Sequence, residues 1–201
     1  MPNQIVHVAL AAKVFTKTFS QFDRGDFFIG TVFPDIRYLG VIDRDKTHFN
    51  DVTLDSVLAA KTSFEAGFLF HNLVDRIFND RVVSSLSPVE GFDDVSSIVK
   101  MLADQLFYNK INDWPEIVSH FDNIISEELE SGINESDLIK WHEMVKGIFI
   151  EAPTDTNRSK FMADLNFSKD QIDYYNRSLS KIRDNRVITE ILLNFYDNFS
   201  G

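Results

Sequence analysis

Apolar residues recur along this chain at helical spacing rather than in strand-like alternation. Residues 51–87 contain no proline, and Leu54, Val57, Leu58, Phe64, Phe68, Val74 and Phe78 mark a stripe there. The spacing predicts one long helix with a buried face. Ile5, Val8, Ala12, Phe15 and Phe19 mark a second stripe, on a helix from about Gln4 to Phe19 with Asn3 as its cap. Asp23 or Asp26 opens a short apolar segment, residues 27–30, that leads into Thr31-Val32-Phe33-Pro34-Asp35-Ile36. Pro34 keeps the preceding residue out of helical geometry, which puts Asp35 on a bend or at a new helix start. Residues 37–51 read as a loop.

Helical spacing returns at residues 93–108, 115–129 and 136–149, with Pro115 suited to a first turn and residues 134–137 to a capping segment. After a second loop at residues 151–155, Ser168 starts a last long helix. Ile172, Tyr175, Leu179, Ile182, Val187, Ile191, Leu192 and Phe195 form its apolar side. The prediction is an all-helical single domain over residues 1–201, with the clearest break at residues 84–91. That break separates a histidine-bearing half, 1–83, from a mainly structural half, 92–201.

Composition sharpens this picture. A chain of 201 residues can bury one sizeable core, and 19 phenylalanines supply large rings with few hydrogen-bonding needs. Twenty basic residues against 31 acidic ones give a net charge of -11, which disfavours a duplex nucleic acid as partner. With no cysteine, a metal could be held only by His, Asp, Glu or a chain terminus. The uncharged start at residues 5–12 is too short to span a membrane and lacks the flanks of a secretory signal, so the expected location is cytoplasmic.

The candidate chemistry clusters early. His71 and Asp75 lie four apart and therefore project from one helix face, amid Phe64, Gly67, Val74 and Phe78. A carboxylate in such surroundings is costly unless a cationic side chain or a metal compensates it. His7, Asp35 and His48 also sit in apolar contexts within the first 75 residues, and mixed nitrogen and oxygen shells suit zinc, manganese or iron. Arg37, Arg44, Lys46 and Arg76 are candidates to neutralise a substrate's charge. His120 and His142 lack a metal-competent partner one turn on and read as structural.

His7, the segment Gly30-Thr31-Val32-Phe33-Pro34-Asp35-Ile36, Thr47-His48, and Gly67-Phe68-Leu69-Phe70-His71-Asn72-Leu73-Val74-Asp75 resemble motifs of the zinc-dependent phospholipase C family, to which the single-strand-specific zinc nucleases are related. The resemblance covers about the first 80 residues. It implies the family's helical fold and hydrolysis of a phosphate ester, such as a phospholipid head group, with metal-activated water as nucleophile. It also implies one zinc held by Asp35, His48, His71 and Asp75, with Asp35 and Asp75 in the catalytic roles. Asp75 would bridge to a second zinc held by His7 and the chain's N-terminus. The motif for a third zinc is missing where Arg81 and Lys146 stand, and the chain begins Met1-Pro2, so one ion, at most two, is expected. Two rival expectations are a non-catalytic metal-binding helical protein, and a metal-free interaction protein in which an arginine such as Arg37 pairs with Asp75.

Overall fold

The computed structural model describes residues 3–86 and 94–200. Most of the predicted break and the predicted helix start at Asp93 lie outside the described residues, as do Met1 and Pro2. Eleven α-helices and no strand occur among the described residues: α1 (Gln4–Thr18), α2 (Arg24–Val32), α3 (Leu54–Leu58), α4 (Ser63–Arg81), α5 (Val95–Tyr108), α6 (Trp114–Ser119), α7 (Ser126–Glu130), α8 (Glu135–Phe149), α9 (Asp155–Asp164), α10 (Lys169–Ile182) and α11 (Arg186–Asn198). No helix among them is long and apolar enough to cross a membrane.

The most extensive helix–helix contact is between α2 and α4, and two glycines make it. A Cβ on Gly30 would stand 2.1 Å from the Phe64 carbonyl oxygen, and one on Gly67 would stand 2.0 Å from that of Phe27. Each helix thus presses its backbone onto the other's glycine, a closeness that any side chain would forbid. Phe19, Phe27 and Phe70 close the space beside this crossing, ring against ring. α1 lies against α2 and α5 and is buried all round from Gln4 to Ala11. The apolar face of α5, from Ile98 to Ala103, covers α1 from the other side.

Several predicted boundaries need correction. The predicted helix over 51–87 is broken. Thr62 accepts the Glu65 N–H while Glu65 accepts the Lys61 N–H, and this reciprocal cap restarts the chain as α4 after the short α3. Leu58, placed in the stripe, is exposed. Residues 115–129 divide into α6, a 3-10 turn at His120–Asp122 and α7, because Asn123 is extended and Glu128 folds back to accept the Ile125 N–H. α9 was not anticipated: its sequence is largely polar and only Arg158, Phe161 and Met162 are buried. The last helix is two, since Asn185 caps a new start by accepting the N–H groups of Val187 and Ile188, and Val187 faces solvent. Asn3 precedes α1 as expected, although its side chain makes no capping bond.

Candidate metal centre

Four elements deliver the predicted residues to one place. α1 brings Gln4 and His7 on one face, three residues apart. A 3-10 turn over Phe33–Leu39, with Pro34 in its first turn, carries Asp35 directly beyond α2. A second 3-10 turn, Arg44–Lys46, ends at Thr47 and aims His48 inward. α4 supplies His71 and Asp75 one turn apart.

The atoms converge closely. His48 Nε2 lies 3.3 Å from His71 Nε2, 3.7 Å from Asp35 Oδ1 and 3.8 Å from Asp75 Oδ2. His71 Nε2 lies 3.9 Å from Asp75 Oδ2. His7 stacks on His71 with ring centres 3.9 Å apart, and its Nε2 faces Asp75 Oδ1 at 3.5 Å. His7 and His71 are fully buried, whereas the Asp75 side chain keeps 21 % of its surface open to solvent. The cluster therefore has one accessible side, at Asp75.

Hydrogen-bond partners bear on which nitrogens are free. His71 Nδ1 lies 2.9 Å from the Thr31 carbonyl oxygen, which can only accept, so Nδ1 carries the proton and Nε2 the lone pair. The close α2–α4 crossing makes this bond possible, because Thr31 and His71 flank Gly30 and Gly67. The Thr47 hydroxyl donates to the Arg44 carbonyl and thus accepts from His48 Nδ1 at 2.9 Å. His48 Nε2 is then also a bare acceptor.

Burial pushes His48 down to about 4, against the pull of Asp35. Burial, with His7 stacked alongside, pushes His71 down to about 3. Both imidazoles are neutral near pH 7. Burial works against ionisation of Asp75, yet the facing His7, the Lys100 ammonium and His71 outweigh it and hold the carboxyl well below the usual carboxylate range.

Other residues hold the cluster in place. Gln4 Nε2 donates to Asp35 Oδ2 at 2.8 Å. Asn72 Oδ1 accepts the Phe49 N–H at 2.7 Å, and its Nδ2 donates to the Thr47 and Phe68 carbonyls. These bonds fasten the backbone on both sides of His48 to the helix that carries His71. Lys100, from α5, donates to Asp75 Oδ1 at 2.8 Å. The cation expected beside Asp75 is this lysine and not Arg37.

Arg37 Nε stands 4.0 Å from Asp35 Oδ1, with its guanidinium over the Tyr38 ring. Arg44, Lys46 and Arg76 are exposed, and Lys46 pairs loosely with Asp43 at 3.9 Å. Lys146 pairs with Glu143 and Asp122, and Arg81 ends α4 on the surface. His142 is buried between Glu128, at 2.7 Å from Nε2, and the Phe121 carbonyl.

Among the described residues, two triads bring their possible ligand atoms within 4.8 Å of one another: Asp35, His48 and His71, and His7, His71 and Asp75. Sequence reasoning missed Gln4, Asn72 and Lys100. A lysine inside the apolar run Ile98-Val99-Lys100-Met101-Leu102 was the one visible signal among them. No protein-family model, curated protein or solved structure matches the chain.

Proposed function

We propose that this protein is a metal-dependent hydrolase of phosphate esters, with Asp35, His48, His71 and Asp75 holding one divalent ion. The observation that carries the reading is the pair of bare Nε2 atoms 3.3 Å apart, flanked by two carboxylates. Two facing lone pairs repel unless an electrophile lies between them, and partners behind both imidazoles favour the ligating tautomer, as in metal-binding histidines. Zinc suits this donor set, as would manganese or iron. The reaction class rests on the sequence resemblance.

A bound ion would supply Lewis acidity toward a phosphoryl oxygen and ionise water near neutral pH. The residues do the rest. Gln4 fixes Asp35, Asn72 and Thr47 fix His48, and Thr31 fixes His71, so the shell requires little rearrangement. Asp75, at the open side, can orient an attacking water by accepting a hydrogen bond from it. Arg37, beside Asp35, is placed to neutralise a phosphoryl charge, and the exposed Arg44, Lys46 and Arg76 would act further out. Small esters fit better than a long phosphate backbone, whose binding needs many basic contacts that a chain of net charge -11 does not offer.

One observation favours a second reading. Lys100 already compensates Asp75, and if Thr47 turned its hydroxyl proton onto His48 Nδ1, His48 could donate Nε2–H to His71 and close the cluster without an ion. That arrangement breaks the Thr47 bond to the Arg44 carbonyl and makes the protein a helical interaction module. Hydrolysis of generic phosphomonoesters and phosphodiesters, with zinc, manganese or iron added to chelator-treated protein, discriminates. The proposal expects metal-dependent turnover that His48→Ala abolishes. Metal-loaded protein that cleaves neither ester class would leave binding without catalysis.

A further inference from the structure

We infer that Lys100 is a built-in cation at the second metal position, so that the centre takes a single divalent ion. This rests on the metal-centre reading above and concerns how many ions that centre accepts.

The two ligand triads share His71, and His71 has one free lone pair, because its Nδ1 donates to the Thr31 carbonyl. That lone pair lies in the ring plane and serves one ion, so a second ion would keep only His7 and Asp75 of its triad, with solvent completing its shell. The Asp35 side brings two imidazoles and one carboxylate, with the second oxygen of Asp75 beside them. On the His7 side, the carboxylate oxygen that faces His7 is Asp75 Oδ1, and the Lys100 ammonium already holds it at 2.8 Å. A divalent ion between His7 and Asp75 would stand next to that ammonium in largely desolvated surroundings, where like charges repel strongly.

His7 supplies an independent sign. It is fully buried, and neither ring nitrogen has a hydrogen-bond partner among the described residues. Its Nε2 faces Asp75 Oδ1 at 3.5 Å, so His7 and Lys100 converge on one carboxylate oxygen. Lys100 reaches this oxygen from the inner face of α5, where a methionine would be cheaper to bury, and pairs with Asp75 there. A fixed ammonium neutralises the shared carboxylate at all times, whereas a second ion would have to be captured from solution.

Zinc titration of chelator-treated protein, with a chromophoric competitor to read free metal, tests this. Wild type should take up one equivalent. Lys100→Arg keeps the charge and should also take up one. Lys100→Gln keeps a donor to Asp75 but drops the charge, and should gain a second equivalent; circular dichroism checks that it retains its helices. A Lys100→Gln variant that stays at one equivalent, or a wild type that binds two, would overturn the role of Lys100 and leave the metal centre standing. Wild type that binds no zinc would remove the metal reading itself. Should Lys100→Gln fail to fold, Lys100→Met, which drops the charge without a polar group to bury, is titrated in its place with the same two outcomes.

Discussion

Asp104 shows how a single buried group is set by its neighbours. Its carboxyl is buried under α1 and accepts the Val6 N–H at 2.9 Å, and burial pushes it up to about 8 despite Arg158 and Lys100 nearby. The folded chain therefore keeps a proton that the unfolded chain gives up above about 4. The stability associated with Asp104 is fully present below that point and is lost as pH rises toward about 8. Asp104→Asn can still accept from Val6 and does not ionise. Its stability relative to wild type should rise between pH 4 and pH 8, reaching roughly 1–3 kcal/mol. Urea unfolding at several pH values checks this, and a difference that does not change with pH would count against the account. At this scale the sequence was informative where spacing carried the signal, at His71 and Asp75 four apart. Pro34, by contrast, did not keep Phe33 out of helical geometry, since Phe33 has φ -58° and ψ -40° and opens the 3-10 turn that carries Asp35. Gln4, Asn72 and Lys100 escaped because their roles depend on partners 23 to 31 positions away, or on neighbouring helices, which no local pattern encodes.

Among the elements, the α2–α4 crossing sets the site. Gly30 and Gly67 let the two backbones meet, and that meeting gives His71 its Thr31 partner. Gly67→Ala would drive a methyl group to 2.0 Å from the Phe27 carbonyl oxygen, so the helices must separate. The expected loss is at least about 3 kcal/mol, the upper range for overpacking, together with a drop in metal affinity as His71 loses its orientation. A variant with wild-type thermal stability and full affinity would show that the crossing does not position the histidine. Helices that open on a recognisable cap residue could be read directly: Ser168 caps α10 with its side chain, and Asn3 precedes α1 without a capping bond. The breaks before α4 and α11 could not, because Ala59-Ala60-Lys61-Thr62 and Arg183-Asp184-Asn185 contain neither proline nor glycine, and the apolar period continues across them. α9 went unread because a helix with one thin buried edge leaves little periodic trace.

For the molecule as a whole, the sequence suggested a site-bearing half followed by a structural half, and the folded chain ties them together at the centre. Lys100 and Asp104 come from the second half, and α5 seals the side of α1 that carries Gln4 and His7. One continuous aromatic-rich core underlies both. Within the fold, His7, His48 and His71 gather with Asp35, Asp75 and Lys100. The meaning of this cluster depends on whether an ion binds there. The most direct measurement is elemental analysis of protein purified without a metal-affinity column and then equilibrated with zinc, alongside His71→Ala. The account predicts close to one equivalent in wild type and essentially none in His71→Ala. A wild type that holds no metal, or a His71→Ala variant that retains a full equivalent with unchanged affinity, would contradict it.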